Sequence, residues 1–258
     1  MVAVDWRYFE FLVYFSSLPS LVAPERRFYF FVLTLKMLIF ALVMETKRKG
    51  YIESLIEQGE HEHQDFKYQI TDARKIARSI SAFANNSGGH LLVGVKDNGN
   101  IAGVSSDEEI YMIDQAAQMY CQPEQQVKFE IFRVNGKNVL KVDIDEAIEK
   151  PVKAPDDNGQ WRTYYRVADE NVLASSTHVK VMKLNSAPTP QDVVINLTEK
   201  EELLLDYLQN HGGITLSGYE RLAHISFFTA QRTVVKLCEM GIVEIQYHNG
   251  KSLITLKS

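Results

Sequence analysis

The chain has 258 residues, of which 45% are apolar and 24% are charged, a composition typical of a globular protein and not of a disordered or collagen-like one. Its formal charge at pH 7 is −5, so bulk electrostatics do not predict nucleic-acid binding, and any contact with phosphates would need a local basic patch. The two cysteines, Cys121 and Cys238, are far apart in the sequence and indicate neither a disulfide framework nor a zinc site. Reduced thiols fit the cytoplasm, where we expect the protein to reside.

The first 43 residues are rich in aromatic side chains, and residues 28–43 are almost wholly apolar. This run is shorter than the about 20 residues that a membrane-spanning helix needs, and Lys36 interrupts it. It also lies too far from the N-terminus for a signal peptide. We interpret residues 1–43 as an extension from a mis-assigned start, with Met44 as the native start and a weak membrane anchor as the alternative. We expect no membrane partner.

The pattern from Met44 onward predicts an α/β (α+β) domain over residues 44–185. Apolar residues at helical spacing, capping residues and turn dipeptides place its elements in chain order. We expect helices over 48–58, 71–86 and about 106–120, and strands over 90–95, 100–104, 127–134, 137–144 and 161–167. Strands and helices mixed in this order are typical of an α/β or α+β domain.

A second, smaller domain is predicted after a linker. Residues 186–197 contain Pro188 and Pro190 and are interpreted as that linker. Over residues 198–258 we expect a helix that begins after a Thr198 cap and ends near 210, two further helices, and a terminal hairpin. The two helices span about 216–224 and 227–240, and the strands span 242–247 and 252–256. Three helices followed by a hairpin are the order of a winged helix, a relative of the helix-turn-helix.

Four strings in order along the chain resemble a known family. They are GEHEHQDFK (59–67), IARSISAFANNSGGHLLVGVKDNGNIAGV (76–104), KPVKA (150–154) and YYRVADENVLAS (164–175). Together they resemble the Schlafen-type AlbA domain, which is also catalogued as a divergent ATP-binding domain and as a DNA-binding domain. Two positions depart from the family pattern. Asp65 stands where the family usually has Glu, and Lys96 stands in the first place of its usual Asp-Asp pair.

The ATP-binding label of the family finds little support in the residues themselves. Asn85, Gly88 and Gly89 fall at the C-terminal end of a predicted helix, where glycine supplies a positive φ and closes the turn. A phosphate cradle instead needs the N-terminal end of a helix. We therefore predict a tight helix-to-strand turn, no nucleoside-triphosphate site and no cofactor.

The resemblance also implies an enzymatic alternative. In nuclease members of the Schlafen family, two acids five residues apart before Phe-Lys and a third after the Gly-Gly strand form a metal-assisted RNA-cleaving site. Glu60, Asp65 and Asp97 match those places, and they would hold Mg²⁺ or Mn²⁺. The competing interpretation is that these acids are solvated ends of a helix and a strand. His61 and His63 lack a third ligand and are interpreted as surface residues.

Basic residues of the first domain are candidates for phosphate contacts. Lys67, Arg162 and Arg166 can donate charge-assisted hydrogen bonds to phosphate oxygens. Arg166 is the strongest candidate, because it matches the Arg-Val step of the family motif. As the alternative, any of the three could pair with the acids of the domain.

The third helix of the predicted winged helix is the candidate recognition helix. Its inward face is expected to contain Ala230, Val234 and Leu237. That leaves Thr229, Gln231, Arg232, Val235 and Lys236 facing outward to read a major groove, with Lys251 on the wing contacting a phosphate. The module has six basic and seven acidic side chains, so a role in protein contacts or dimerisation remains open.

We therefore predict a nucleic-acid-binding protein, in the form of a DNA-binding transcriptional regulator that forms a homo-oligomer. RNA is the alternative ligand. A metal-dependent, Schlafen-like RNA endonuclease and a non-catalytic assembly module are the alternative functions.

Overall fold

The computed structural model of the protein describes residues 24–185 and 197–257. The predicted linker therefore lies outside the described residues except for Leu197, and so do residues 1–23 of the predicted extension. The elements in chain order are α1 (Pro24–Gln58), β1 (Gln64–Lys67), α2 (Ala73–Asn85), β2 (Gly89–Val93), α3 (Ser106–Met119), β3 (Val127–Val134), β4 (Lys137–Ile144), β5 (Lys153–Pro155), β6 (Trp161–Val167), β7 (Glu170–Leu173), α4 (Ser176–Asn185), α5 (Glu199–His211), α6 (Leu216–Ala223), α7 (Phe227–Glu239), β8 (Val243–His248) and β9 (Lys251–Leu256).

A four-stranded sheet organises the first part of the chain. Its strand order is β1-β2-β4-β3, with β1 parallel to β2 and the other pairs antiparallel. Side chains alternate between its two faces, so that Leu91 and Val142 pack under α2 and α3 while Leu92 and Val139 pack under the end of α1. The sheet is therefore covered by helices on both faces, which agrees with the predicted mixed α/β class.

Helix α1 is longer than the sequence predicts. It runs without a break through Met44, because no proline interrupts it between Pro24 and Gln58. Its last part packs on the sheet through Ile52 and Leu55, whereas the apolar side chains farther back are exposed: Leu33, Leu35, Met37, Leu38, Ile39, Phe40, Leu42, Val43 and Met44. Within the described ranges, none of the helices combines the length and the apolar character that crossing a membrane requires.

The turn between α2 and β2 has the predicted helix-to-strand geometry. Gly88 has a φ of +75°, and a Cβ at this position would lie 2.7 Å from the backbone oxygen of Ile144. The buried amide of Asn85 donates to the backbone oxygens of Val152 and Tyr164 and accepts from the Val152 N–H. Asn85 therefore joins α2 to the neighbouring segments, and Gly88 allows the close turn into β2, so both residues have a structural role.

Several short elements differ from the prediction. The expected strand over 100–104 is wrong, because positive φ at Gly99 and Gly103 bends the backbone and leaves only a bridge between Ile101 and Val95. The sequence did not predict β1, β7 or α4. The strands β1 and β7 are short: β1 pairs with β2, which follows α2 in the chain, whereas β7 forms a tight hairpin with β6.

The C-terminal part follows the predicted order of three helices and a hairpin. Thr198 caps α5 as predicted and forms a capping box with Glu201. Leu204, Tyr219 and Val234, one from each helix, meet in one core with the hairpin residue Ile254. Ile254 also forms a bridge with Ile214, which adds a short third extended segment beside the hairpin.

The two parts of the chain contact each other. Tyr165, Val172 and Met182 of the first part form a small buried cluster, and Tyr247 of the hairpin packs against it. Nearby, Gln231 on α7 is buried against α4, where it donates to Ser176 and Thr177. This contact fixes one side of α7 against the first domain.

Candidate nucleic-acid interface

Two of the three predicted catalytic acids lie together beside β1. Asp65 is 4% exposed, and its Oδ2 lies 2.7 Å from the Nζ of Lys67. Glu60 accepts a hydrogen bond from the Phe66 N–H at 2.9 Å. Burial raises the pKa of Glu60, and its hydrogen bond and charge interaction with Asp65 act in the same direction. Asp65 is therefore ion-paired with Lys67, and Glu60 is hydrogen-bonded beside it.

Asp97 does not join them. Asp65 pairs with Leu91 in the parallel register of β1 and β2, so Asp97 lies six residues beyond that partner, past the bend at Gly94. The side chain of Asp97 is exposed in a turn. Across residues 24–185 and 197–257, no group of three or more ligating side chains is arranged to hold a metal ion. The geometry does not favour the three-carboxylate nuclease site.

Arg166 is buried, contrary to the prediction of a surface contact. Its guanidinium donates to the backbone oxygens of His61 and Gln64 at 3.0 and 3.3 Å and to Asn171 at 3.1 Å. Its Nη1 lies 3.8 Å from Asp65, and its side chain is 1% exposed. Because these partners and the surrounding core enclose it, Arg166 holds β1 against β6 and is not placed to reach a phosphate.

The other two candidates of the first domain remain near the surface but are engaged. Lys67 pairs with Asp65, as described above. Arg162 is 48% exposed; its Nε lies 3.3 Å from Asp156, and it also donates to Gln160. Both basic groups are therefore partly neutralised by neighbours of the same domain.

The histidines near β1 also have local partners. His63 Nδ1 lies 3.1 Å from the Gly88 oxygen, and His90 Nε2 lies 2.7 Å from Gln64 Oε1. Burial lowers the pKa of His90 to about 4, with the positive charge of Lys141 acting in the same direction. His90 is therefore neutral near pH 7.

Helix α7 presents only part of the predicted set of outward residues. Thr229 and Arg232 are exposed, and Lys251 is exposed on the hairpin. Gln231 is buried, because the docking of α4 covers the side of α7 on which it lies. Lys236 donates to the buried carboxylate of Glu201 at 2.8 Å.

The pairing of Lys236 has an electrostatic consequence. Burial raises the pKa of Glu201, but the hydrogen bonds from Lys236 and from Thr198 outweigh this effect and hold the pKa below its usual value. Glu201 is therefore a stable negative partner, and Lys236 is largely unavailable to an outside phosphate. The prediction that Gln231 faces outward for base readout is wrong, whereas Lys236 is 39% exposed but is paired with Glu201.

Two aromatic residues that the sequence analysis did not single out stand at the start of α7. Phe227 and Phe228 are 40% and 79% exposed, and their ring centroids lie 5.9 Å apart. They follow the cap residue Ser226, whose hydroxyl oxygen accepts from the Thr229 N–H. The sequence pattern could have predicted the exposure of Phe228, because the inward spacing of Ala230, Val234 and Leu237 leaves position 228 on the solvent side.

Comparisons with known proteins give one family and a distant structural neighbour. Residues 60–175 match the model of the family described as Schlafen, AlbA_2. A crystal structure of the DIP2311 protein from Corynebacterium diphtheriae is similar at 18% identity with a TM-score of 0.41. That match covers 83% of this chain and 51% of the DIP2311 chain, so this chain spans about half of its length. No curated protein matches the sequence.

Proposed function

Residues 60–175 form a domain of the Schlafen, AlbA_2 family, and on that premise we propose that the protein binds duplex DNA through a C-terminal winged helix. The family points to a nucleic-acid-related function. The order of α5, α6, α7 and the β8–β9 hairpin supports a winged helix, in which α7 enters the major groove and the hairpin contacts the backbone. In this proposal the protein acts as a transcriptional regulator.

The observation that carries the proposal is the exposed stripe of α7. Phe228 and Arg232 are four residues apart and therefore share one helix face, with Thr229 beside them. Within the described residues, no hydrogen bond or ion pair of Arg232 occurs, so its guanidinium is available. An arginine on such a face can donate to guanine O6 and N7, and an exposed phenylalanine can contact a thymine methyl group.

The proposed interface is small and lies in an acidic protein. With Lys236 bound to Glu201, the cations that remain for it are Arg232 on α7 and Lys251 on the hairpin. Few phosphate contacts imply weak binding with a shallow dependence on salt, because the slope scales with the number of neutralised phosphates. A homo-oligomer that presents two such surfaces would add affinity without new contacts.

Binding of the full-length protein to a pool of random-sequence duplexes at low salt tests the proposal, followed by selection and sequencing of the bound fragments. We expect an enriched motif. On the selected duplex, Arg232→Ala should weaken binding by about 1–3 kcal/mol, whereas Lys251→Ala should reduce the salt slope by about 1. Fluorescence anisotropy against salt concentration measures both effects.

Lys200→Ala provides the matched control, since it removes one exposed positive charge from another helix of the same module. It should change binding little. If the protein binds no duplex at low salt, or if Arg232→Ala and Lys200→Ala have the same effect, the proposal is wrong. A Phe228→Ala variant that changes the oligomeric state while DNA binding is absent would instead favour the assembly module.

A further inference from the structure

Strand β3 forms an edge of the four-stranded sheet. It stands at the end of the strand order and pairs with β4 on one side. Its eight residues keep one regular register with β4, and the range Val127–Val134 contains neither a bulge nor a proline. Natural sheets usually protect an edge by shortness, a proline, a bulge or charged side chains. Of these devices β3 has only the charges, so a long and regular edge is left to be covered.

The register of the hairpin shows which backbone groups of β3 point away from β4. Val134 and Lys137 pair across the two-residue turn at 135–136, so every second residue of β3 shares hydrogen bonds with β4. The N–H and C=O groups of the other residues face outward: Val127, Phe129, Ile131 and Arg133. In agreement with this, the Ile131 oxygen accepts a hydrogen bond from Arg48 at 3.4 Å. Within residues 24–185 and 197–257, the outward N–H groups donate to no other segment.

Helix α1 crosses the sheet and continues past this edge. The Leu55 oxygen accepts a hydrogen bond from Gln64 on β1, whereas Arg48 donates to Glu130 and Ile131 on β3. The residues before Arg48 therefore extend beyond β3, and the exposed apolar side chains of α1 described above lie there. A large exposed apolar surface marks an interaction site. The open edge and the unpartnered part of α1 thus lie on the same side of the molecule.

The charges on β3 are complementary to themselves in one antiparallel register. Lys128 and Glu130 lie on the same face of the strand, with side chains 71% and 44% exposed. When a two-fold axis passes through Phe129, Lys128 of each copy stands opposite Glu130 of the other, in the closely spaced type of pair. Moving the axis to Lys128 or to Glu130 places two like charges opposite each other, which is destabilising. The charge pattern therefore selects the register centred on Phe129.

The same register brings apolar side chains together on the other face of β3. Phe129 stands opposite Phe129 of the second copy, and Val127 stands opposite Ile131. All three residues are partly buried against the main core, so the pairing extends an existing apolar surface. The three outward-facing pairs would exchange about six backbone hydrogen bonds.

The two α1 helices also come close to each other about this axis. Arg48 shows that α1 passes over β3 at the level of Glu130 and Ile131. The helix of the second copy would cross at the level of Lys128 and Val127, which is about three residues or roughly 10 Å farther along the strand. Helices pack at interaxial distances of about 8–10 Å. The apolar parts of the two helices would therefore cover each other.

We propose that the protein forms a two-fold homodimer in which the β3 edges of two copies pair antiparallel about Phe129 and the exposed parts of α1 pack together. The occupant of the edge is a second copy of this chain, because the charge pattern of β3 matches its own reverse. The dimer carries two α7 surfaces. The inference goes beyond the proposed duplex binding and does not depend on it.

Sedimentation velocity of the full-length protein over a range of concentrations tests the dimer. Lys128→Glu and Glu130→Lys each place like charges opposite each other at two symmetric positions, so each should raise the dimer Kd about tenfold. The double variant Lys128→Glu/Glu130→Lys re-forms both pairs of opposite charge and should restore the dimer. Glu170→Lys is the matched control, because it reverses one exposed charge on β7 and should leave the dimer unchanged.

Hydrogen exchange followed by mass spectrometry locates the contact. In the dimer the outward N–H groups of Phe129 and Ile131 should be protected. In Lys128→Glu at a concentration where it is monomeric they should exchange rapidly, whereas the N–H groups bonded to β4 stay protected. Circular dichroism establishes that each variant is folded.

A protein that stays monomeric at every concentration overturns the proposal. Protection of the outward N–H groups in such a monomer would mean that another segment of the same chain covers the edge. A dimer that neither single reversal weakens, or that the double variant fails to restore, overturns the proposal as well. These outcomes are independent of the duplex assay, since a dimer can form without binding DNA and α7 of a monomer can bind DNA.

Discussion

Arg166 matches a family motif, and its role in this protein is structural. Its guanidinium bridges two backbone oxygens of the segment 61–64 to Asn171 and lies beside Asp65 in the core. Burial lowers its pKa, while the charges of Asp65 and Glu60 oppose that effect. Removing one partner of a buried ion pair leaves the other charge uncompensated. A substitution of Arg166 should therefore reduce the stability of the fold rather than weaken ligand binding directly.

We expect Arg166→Ala to reduce the free energy of unfolding by about 3 kcal/mol, measured by urea denaturation. Arg162→Ala is the comparison, because Arg162 is about half exposed and its pairing contributes about 0–1 kcal/mol. Nucleic-acid affinity per folded molecule should be the same in Arg166→Ala as in the unaltered protein. Lost affinity at unchanged stability would instead restore Arg166 as a phosphate contact.

At the scale of elements, local patterns predicted long helices and tight hairpins well. The hairpin over 127–134 and 137–144 and the capped helices of the second module lie within a residue or two of their predicted bounds. The apolar spacing, capping residues and turn residues that predict these elements all lie within a few residues of one another. The strands β1 and β7 have four residues each, which is too short for a clear alternation of side chains. In addition, β1 pairs with β2 across the intervening helix α2, whereas β7 forms a hairpin with β6.

The same distinction applies to the candidate sites. The spacing of Ala230, Val234 and Leu237 predicted which side of α7 is buried in its own core, and that prediction is confirmed. It could not predict that α4 covers a second side at Gln231, because α4 belongs to the other module.

The turn before β2 offers a direct test of one such element. Gly88→Ala combines strain at a φ of +75° with a Cβ placed 2.7 Å from the Ile144 oxygen. Gly136→Ala, in the hairpin turn, has a φ of +80° with nothing within 4 Å of the new Cβ. We expect Gly136→Ala to lower the free energy of unfolding by about 1 kcal/mol, from strain alone. Gly88→Ala should lower it by about 3 kcal/mol, a loss of the size that severe core defects cause. Equal losses in urea denaturation would show that the close approach to β4 contributes nothing.

On the scale of the whole molecule, the contact between the two modules decides how α7 is presented. Tyr165 lies at its centre, with the ring of His178 on α4 at 4.2 Å and that of Tyr247 on the hairpin at 6.4 Å between centroids. Gln231 adds hydrogen bonds from α7 to α4. Docking therefore hides one side of α7 while leaving Phe228 and Arg232 exposed, so the proposed DNA contact does not require the modules to separate.

This contact contains a histidine whose protonation should loosen it. Burial lowers the pKa of His178 to about 4 from the 6.5 of an exposed histidine, and its Nδ1 has no hydrogen-bond partner in the described residues. The folded state therefore binds this proton less readily than the unfolded chain does. The stability linked to His178 is fully present above pH 6.5 and is lost as the pH falls from 6.5 towards 4.

At pH 5 this difference amounts to about 2 kcal/mol, since each pKa unit corresponds to 1.36 kcal/mol. His178→Phe keeps a ring against Tyr165 but cannot be protonated, so its free energy of unfolding should fall less than that of the unaltered protein between pH 7.5 and pH 5. Urea denaturation at the two pH values measures that difference, with His248→Phe on the exposed side of β8 as a control for the added ring. Parallel curves for the unaltered protein and His178→Phe would mean that water already reaches His178 through the contact. In that case α7 is not held against the first module as firmly as its buried Gln231 requires.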